Sequence, residues 1–359
     1  MLSGNFDDTS YFLIRRYKFL LTLFYEVSYN ILINNIAYVF SMEGLFMKTI
    51  RPIYDAEANL LTIRDPMILP VGDTYYLTGT QPPYWQGVNA GVHLWSTKDL
   101  EHYTDHGLIL KREDMPEDLW CRDRFWAPEL FDGKDGWFYL TFNCRNERED
   151  CAHPHNVGLA RSRQITGPYE LVTLERPLTE YDTANDATMF RDDDGTIWLG
   201  CNNTARWLTL QRFDPVALSL SAGQRVAEKG TEGEWDFIGV EGQCFVKRHG
   251  IYFQWYSSWT NGYDAGILTS ASMNGPWIKH PLNPILSNNE IWHRAGHNHC
   301  FRGFDGQDYL IFHANSRDPE DPQTESMFIV PVDYQPDGTV IVYADSKKQG
   351  SKETEVSDV

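Results

Sequence analysis

The sequence predicts an all-β chain folded as a five-bladed β-propeller with about four antiparallel strands per blade. Three observations carry that expectation. One turn-plus-strand phrase occurs five times, its copies stand a blade's length apart, and no amphipathic helix of three turns is legible from Met47 onward. The copies are "VGDTYYLTGT" from Val71, "KDGWFYLTFN" from Lys134, "DDGTIWLGCN" from Asp193, "RHGIYFQWYS" from Arg248 and "FDGQDYLIFH" from Phe304. Their turn glycines, Gly72, Gly136, Gly195, Gly250 and Gly306, are spaced by 64, 59, 55 and 56 residues. Glycine supplies the positive φ that a tight hairpin needs, and an aromatic-rich run after it suits a strand. Intervals of this size hold about four short strands, as a propeller blade does. A β-sandwich with coincidental turn spacing is the competing fold.

The segments between the hairpins fill out each unit. "LWSTKDLEHYTDHG" (residues 94–107) reads as strand, turn and strand. "LARSRQITGPYELV" (159–172) and "LTSASMNGPWIKHP" (268–281) share a strand with serine, a Gly-Pro turn and an aromatic. The flanks differ. Arg15, Arg16 and Lys18 precede an apolar run that Glu26 breaks, with no small-residue cleavage site after Phe40 and no stretch long enough to span a bilayer. "MKTIRPIYDAEANLL" from Met47 reads as the start of a domain. The expected organisation is an upstream or disordered extension over 1–46, the propeller over 47–345, and a disordered polar tail over 346–359, "SKKQGSKETEVSDV". The lack of a clean signal favours the cytoplasm; a secreted or periplasmic location is the alternative if the first segment is an unusual signal.

A formal charge of −19 argues against nucleic acid and anionic lipid as partners and favours a neutral one. Aromatic residues make up 14% of the chain, and such side chains stack well on flat apolar ligand faces. The six cysteines show no framework spacing, so reduced thiols are expected.

An ionisable residue stands ahead of each hairpin: Asp65 in "RDPMIL", Glu129 in "WAPELF", Asp186 in "NDATMF", Glu241 in "EGQCFV" and His297 in "GHNHCF". The innermost strand of every propeller blade lies beside the axis, so residues at one end of five such strands converge on one mouth. Matched positions would therefore gather four carboxyls and an imidazole. Carboxylates held close cannot all ionise freely, and one with a raised pKa beside an ionised one makes a general acid and a general base. Taken singly, each of these residues is more ordinary as a strand cap.

In these motifs the chain resembles glycoside hydrolase family 43, a family of five-bladed propellers. The resemblance runs from about Leu61 to Tyr343. It rests on Asp65-Pro66, on Trp126 to Glu129, on Asp186 before a Phe-x-Asp-Asp-Asp-Gly turn, on Glu241-Gly242 and on Gly296-His297. It implies an inverting glycosidase acting on arabinose- or xylose-containing glycans, a neutral carbohydrate partner, Asp65 as general base, Glu241 as general acid, and Asp186 as the group that tunes and orients the acid. It also implies that His297 helps to hold a central calcium ion through water. Glu129 falls at a commonly acidic family position and is expected to contact a sugar hydroxyl. Gln243 departs from the proline that usually follows Glu-Gly.

An inverting pair needs about 6.5–9.5 Å between its carboxyls to admit a water. Trp126 and Trp259 are the expected sugar platforms, with Trp235, Tyr263 and Trp292 as further candidates. A fructoside- or galactoside-cleaving relative and a non-catalytic glycan-binding propeller are the alternatives. The absence of Asn-Asp-Pro-Asn and Glu-Cys motifs counts against the fructan enzymes. Cys144, Cys151, His153 and His155 have no zinc-finger spacing, and no Gly-x-Ser-x-Gly elbow supports a serine hydrolase.

Overall fold

Among the described residues, five antiparallel sheets of four or five strands follow one another along the chain, and each begins with the strand that the repeat phrase predicts. The computed structural model describes residues 60–151, 155–320 and 325–344, with the short strands Lys48–Thr49 and Ile53–Tyr54. The expectations for residues 1–46 and 346–359 lie outside the described residues.

The first sheet runs Arg64–Val71, Thr74–Thr80, Gly91–Thr97 and Thr104–Lys111. The second opens with Arg124–Asp132 and Phe138–Arg145, the third with Ala184–Arg191 and Ile197–Asn203, and the fourth with Glu241–Arg248 and Ile251–Ser258. In the fifth, Trp292–Arg302, Asp308–Ser316 and Ser326–Tyr334 come from the end of the domain, and Lys48–Thr49 pairs onto Ser326–Tyr334. The last blade is thus finished by a strand from before the first. The turn glycines adopt φ between 63° and 86°, the conformation the hairpin reading requires.

The sheets are buried on both faces, and Gly91–Thr97 is buried at every position. Between the first and second blades lie Met67, Leu94, Trp120, Phe125 and Phe142. Trp255, Ile267, Phe312 and Phe328 join the fourth to the fifth, and Ile68, Leu77, Trp95, Ile311 and Ile329 join the fifth back to the first. Tyr139, Leu159 and Phe213 fill the second interface, and Trp198, Phe245 and Tyr252 the third. Each large side chain removed from water in this way contributes roughly 1.5–3 kcal/mol. The cycle of apolar interfaces closes the ring and sets all five innermost strands around one axis.

Each innermost strand carries a bulge near its start. Register slips between Arg64 and Met67, Trp126 and Glu129, Asn185 and Thr188, Glu241 and Cys244, and Gly296 and His299. The first bulged residue has positive φ in every blade: Asp65 50°, Ala127 43°, Asp186 54°, Gly242 62° and His297 47°. This corrects the expectation of five matched ionisable residues. The positions equivalent to Asp65 are Ala127 in the second blade and Gly242 in the fourth, so Glu129 sits two residues beyond the symmetric point and Glu241 one before it. A bulge bends the strand and re-aims a side chain. Here it turns three ionisable side chains, Asp65, Asp186 and His297, toward a common point.

Candidate active site

A second set of polar residues holds the bulges. They lie on the second strand of each blade, seven residues after the turn glycine in four blades (Gly136 to Asn143, Gly195 to Asn202, Gly250 to Ser257, Gly306 to His313) and eight in the first (Gly72 to Thr80). Thr80 Oγ1 accepts the N–H of Ala127 at 2.7 Å, and Asn143 Oδ1 accepts that of Asp186 at 2.6 Å. Ser257 Oγ accepts the N–H of His297 at 2.8 Å, and His313 Nδ1 that of Asp65 at 3.1 Å. Each blade therefore holds the bulge of the next. The exception is informative. The N–H of Gly242 donates instead to Asp186 Oδ2 at 2.9 Å, so a carboxylate of the site takes over the structural task beside Glu241.

Asp65, Asp186 and His297 meet directly. His297 Nδ1 lies 3.3 Å from Asp65 Oδ1 and 3.7 Å from Asp186 Oδ2. Thr80 Oγ1 donates to Asp65 Oδ2 at 2.6 Å, and Asn143 Nδ2 donates to Asp186 Oδ1 at 2.5 Å. Glu241 joins them through the field: the Asp186, His297 and Asp65 charges all act on its carboxyl. Asp186 and His297 are buried, whereas Asp65 and Glu241 keep partial exposure. That split suits two groups that must reach a ligand and two that support them.

The protonation states separate. Burial raises the Asp65 pKa, but His297 and Arg64 outweigh it and hold the carboxyl below its ordinary value. Glu241 is pushed up to about 8, first by burial and then by the Asp186 charge. Burial also raises Asp186, reinforced by Asp65 and opposed by His297 and the Asn143 and Gly242 hydrogen bonds. Burial alone would lower His297, but the Asp65, Asp186, Glu241 and Glu129 carboxyls raise it. At neutral pH the site thus holds an ionised Asp65 beside a protonated Glu241. Carboxyls whose surroundings drive their pKa values apart are equipped as base and acid.

Glu129 lies deeper. It is buried, faces Thr188, and burial lifts its pKa to about 8. The His297 and Asp186 charges also act on it, so it borders the same cluster. Trp126 is half-buried; its Nε1 donates to Tyr84 O at 2.7 Å, and its ring lies 4.9 Å from that of His155. Trp259 is half-buried too, packed so closely on Gly239 that a Cβ there would come within 2.4 Å of its ring. Trp235 packs on Tyr256, and Trp292 is core. Tyr263 is buried, and its hydroxyl donates to Glu241 Oε1 at 2.6 Å. Phe237 and Ile238 form an exposed apolar lip just before Glu241, and Trp85 is 69% exposed with the Arg64 guanidinium 5.0 Å from its ring.

Sequence reasoning missed the second-strand residues Thr80, Asn143, Ser257 and His313, although their fixed distance from the turn glycine was a readable signal. Arg64 and the Tyr263 contact had none. Cys144 is a core residue, His155 faces Trp126, and His153 lies outside the described residues. Among the described residues, no three His, Cys, Asp or Glu side chains are grouped to hold a metal ion.

Residues 61–340 match Glycosyl hydrolases family 43. A xylosidase/arabinosidase from Humicola insolens is 28% identical over 69% of this chain and 46% of its own length. A β-D-galactofuranosidase from Aspergillus niger is 30% identical over 60% of this chain and 63% of its own. The chain thus spans less than two thirds of either relative. Among solved structures, an endo-1,4-β-xylanase from Bacteroides thetaiotaomicron superposes with a TM-score of 0.65 at 25% identity, covering 79% of this chain and 95% of the other. A thermostable family-43 glycoside hydrolase gives 0.67 at 24% identity, covering 84% and 98%.

Proposed function

This chain belongs to Glycosyl hydrolases family 43, and from that membership we propose that it hydrolyses arabinose- or xylose-containing glycans or oligosaccharides with inversion. The observation that carries the reading is the meeting of Asp65, Asp186 and His297 from three blades beside Glu241, where the surroundings lower the pKa of Asp65 and raise that of Glu241. Glu241 gives its proton to the glycosidic oxygen as the bond to the anomeric carbon breaks. A water attacks that carbon from the opposite face and yields its proton to Asp65, so one water is added across the bond. Asp186 keeps Glu241 protonated by its charge and holds the backbone after it through the Gly242 N–H. His297 balances the carboxylates. Half-buried Trp126 and Trp259, with Glu129, are the proposed sugar contacts.

Calcium finds a poor direct fit. It prefers an oxygen-rich shell, whereas both Asp186 oxygens are engaged by Asn143 and Gly242, and Thr80 and His297 lie against Asp65. His297 is ringed by the Asp65, Asp186, Glu241 and Glu129 carboxyls, so an ion that it helps to hold would be reached through water.

The test is a panel of nitrophenyl glycosides and plant oligosaccharides. Turnover of arabinosides or xylosides is expected, with the product anomer opposite to the substrate's by NMR. A galactofuranoside belongs in the panel because of the galactofuranosidase relative. Binding of these sugars without turnover would replace the enzyme reading with that of a glycan-binding propeller.

A further inference from the structure

We propose that Tyr263 is a positioning residue for proton donation, its hydrogen bond fixing which oxygen of Glu241 carries the transferable proton. The inference rests on the reading of Glu241 as the general acid. Tyr263 Oη donates to Glu241 Oε1 at 2.6 Å, and burial keeps the phenol protonated and so able to donate. A carboxylic acid has one O–H and one carbonyl oxygen. With Oε1 accepting from Tyr263, the proton of neutral Glu241 resides on Oε2, and Oε2 is the oxygen left to face a ligand.

The bond also changes as the reaction proceeds. When the proton leaves Oε2, negative charge spreads over both oxygens and the phenol bond becomes charge-assisted, roughly doubling in strength. An interaction that strengthens toward the transition state raises kcat rather than lowering KM.

The fold holds the phenol in place from two sides. A Cβ on Gly296 would come within 2.1 Å of the Tyr263 ring, so only glycine leaves room for it. On another side, the ring centroid is 5.4 Å from that of His313, whose Nδ1 holds the Asp65 N–H. Acid and base are therefore referred to one another through two buried rings. The charged groups facing Glu241 are Asp186, Asp65 and His297, and Arg64 also faces Tyr263.

The experiment compares Tyr263→Phe with wild type on leaving groups of different need. One substrate is a 2,4-dinitrophenyl glycoside, whose leaving group departs without a proton; the other is the disaccharide of the same sugar, xylobiose or arabinobiose, whose leaving group requires one. On the disaccharide, kcat is expected to fall about 10- to 100-fold, the worth of one hydrogen bond to a charged group, with KM nearly unchanged. On the dinitrophenyl glycoside the loss should stay below about 3-fold. The alkaline limb should move to higher pH, because the donor that favoured the Glu241 carboxylate is gone. An equal loss on both substrates, or no loss on either, overturns the role. Glu241→Gln run alongside separates the two levels: if it too loses both substrates equally, the general-acid reading has failed, and the inference with it. A wild type inactive on every form of both sugars would sink both.

Discussion

Asp186 has two duties that a single substitution separates. Its charge raises Glu241, and its oxygens hold Asn143 and the Gly242 N–H. Asp186→Asn removes the charge while keeping a side chain of the same shape. Without the neighbouring anion, Glu241 ionises more readily, its pKa falls from about 8, and the alkaline limb of kcat/KM moves to lower pH. Each unit of that move costs about tenfold in activity on the alkaline side. An unmoved limb would assign Asp186 to architecture alone. At this scale the sequence was most informative about ionisable residues, since the one ahead of each hairpin led to Asp65, Glu129, Asp186, Glu241 and His297. It was least informative about Tyr263, grouped with Trp259 and Trp292 as a sugar platform. An aromatic in a loop carries no mark of the direction it faces; the packing against Gly296 and His313 turns this one inward.

The element that builds the site is the bulge at the head of each innermost strand. Non-glycine residues at positive φ cost about 1–3 kcal/mol each and persist where surrounding structure holds them. The second-strand residues do this holding, blade to blade. Ser257 is fully buried and is the acceptor for the His297 N–H. Ser257→Ala leaves that donor unpaired, and urea unfolding should show a loss of about 1–3 kcal/mol. Unchanged stability would mean that the bulge holds itself. Hairpins and turn glycines were legible because tight turns impose a residue type. The bulges were not: an extra residue per strand leaves the alternation on either side intact, and "WAPELF" reads equally well with Glu129 or Ala127 at the symmetric point. Hence the acids looked matched, while the structure places Glu241 one residue before the bulge position and Glu129 two beyond it.

For the whole molecule, the ring of sheets converts separation of more than two hundred residues along the chain, from Asp65 to His297, into contact at 3.3 Å. Apolar interfaces between all neighbouring blades, and the pairing of Lys48–Thr49 onto the last one, fix the convergence. Five equal phrases in one chain made this architecture readable, because repeats that each leave a sheet face bare must cover one another. The loops that would select a sugar carry no such repetition. The central claim is that this enclosure keeps Glu241 protonated where Asp65 is ionised. The most direct test is the pH profile of kcat/KM for wild type and Glu241→Gln on a dinitrophenyl glycoside and on the corresponding disaccharide. A wild-type disaccharide profile falling above about pH 8, with Glu241→Gln active only on the dinitrophenyl substrate and free of that limb, is the predicted result. A variant that still cleaves the disaccharide with the same alkaline limb would contradict it.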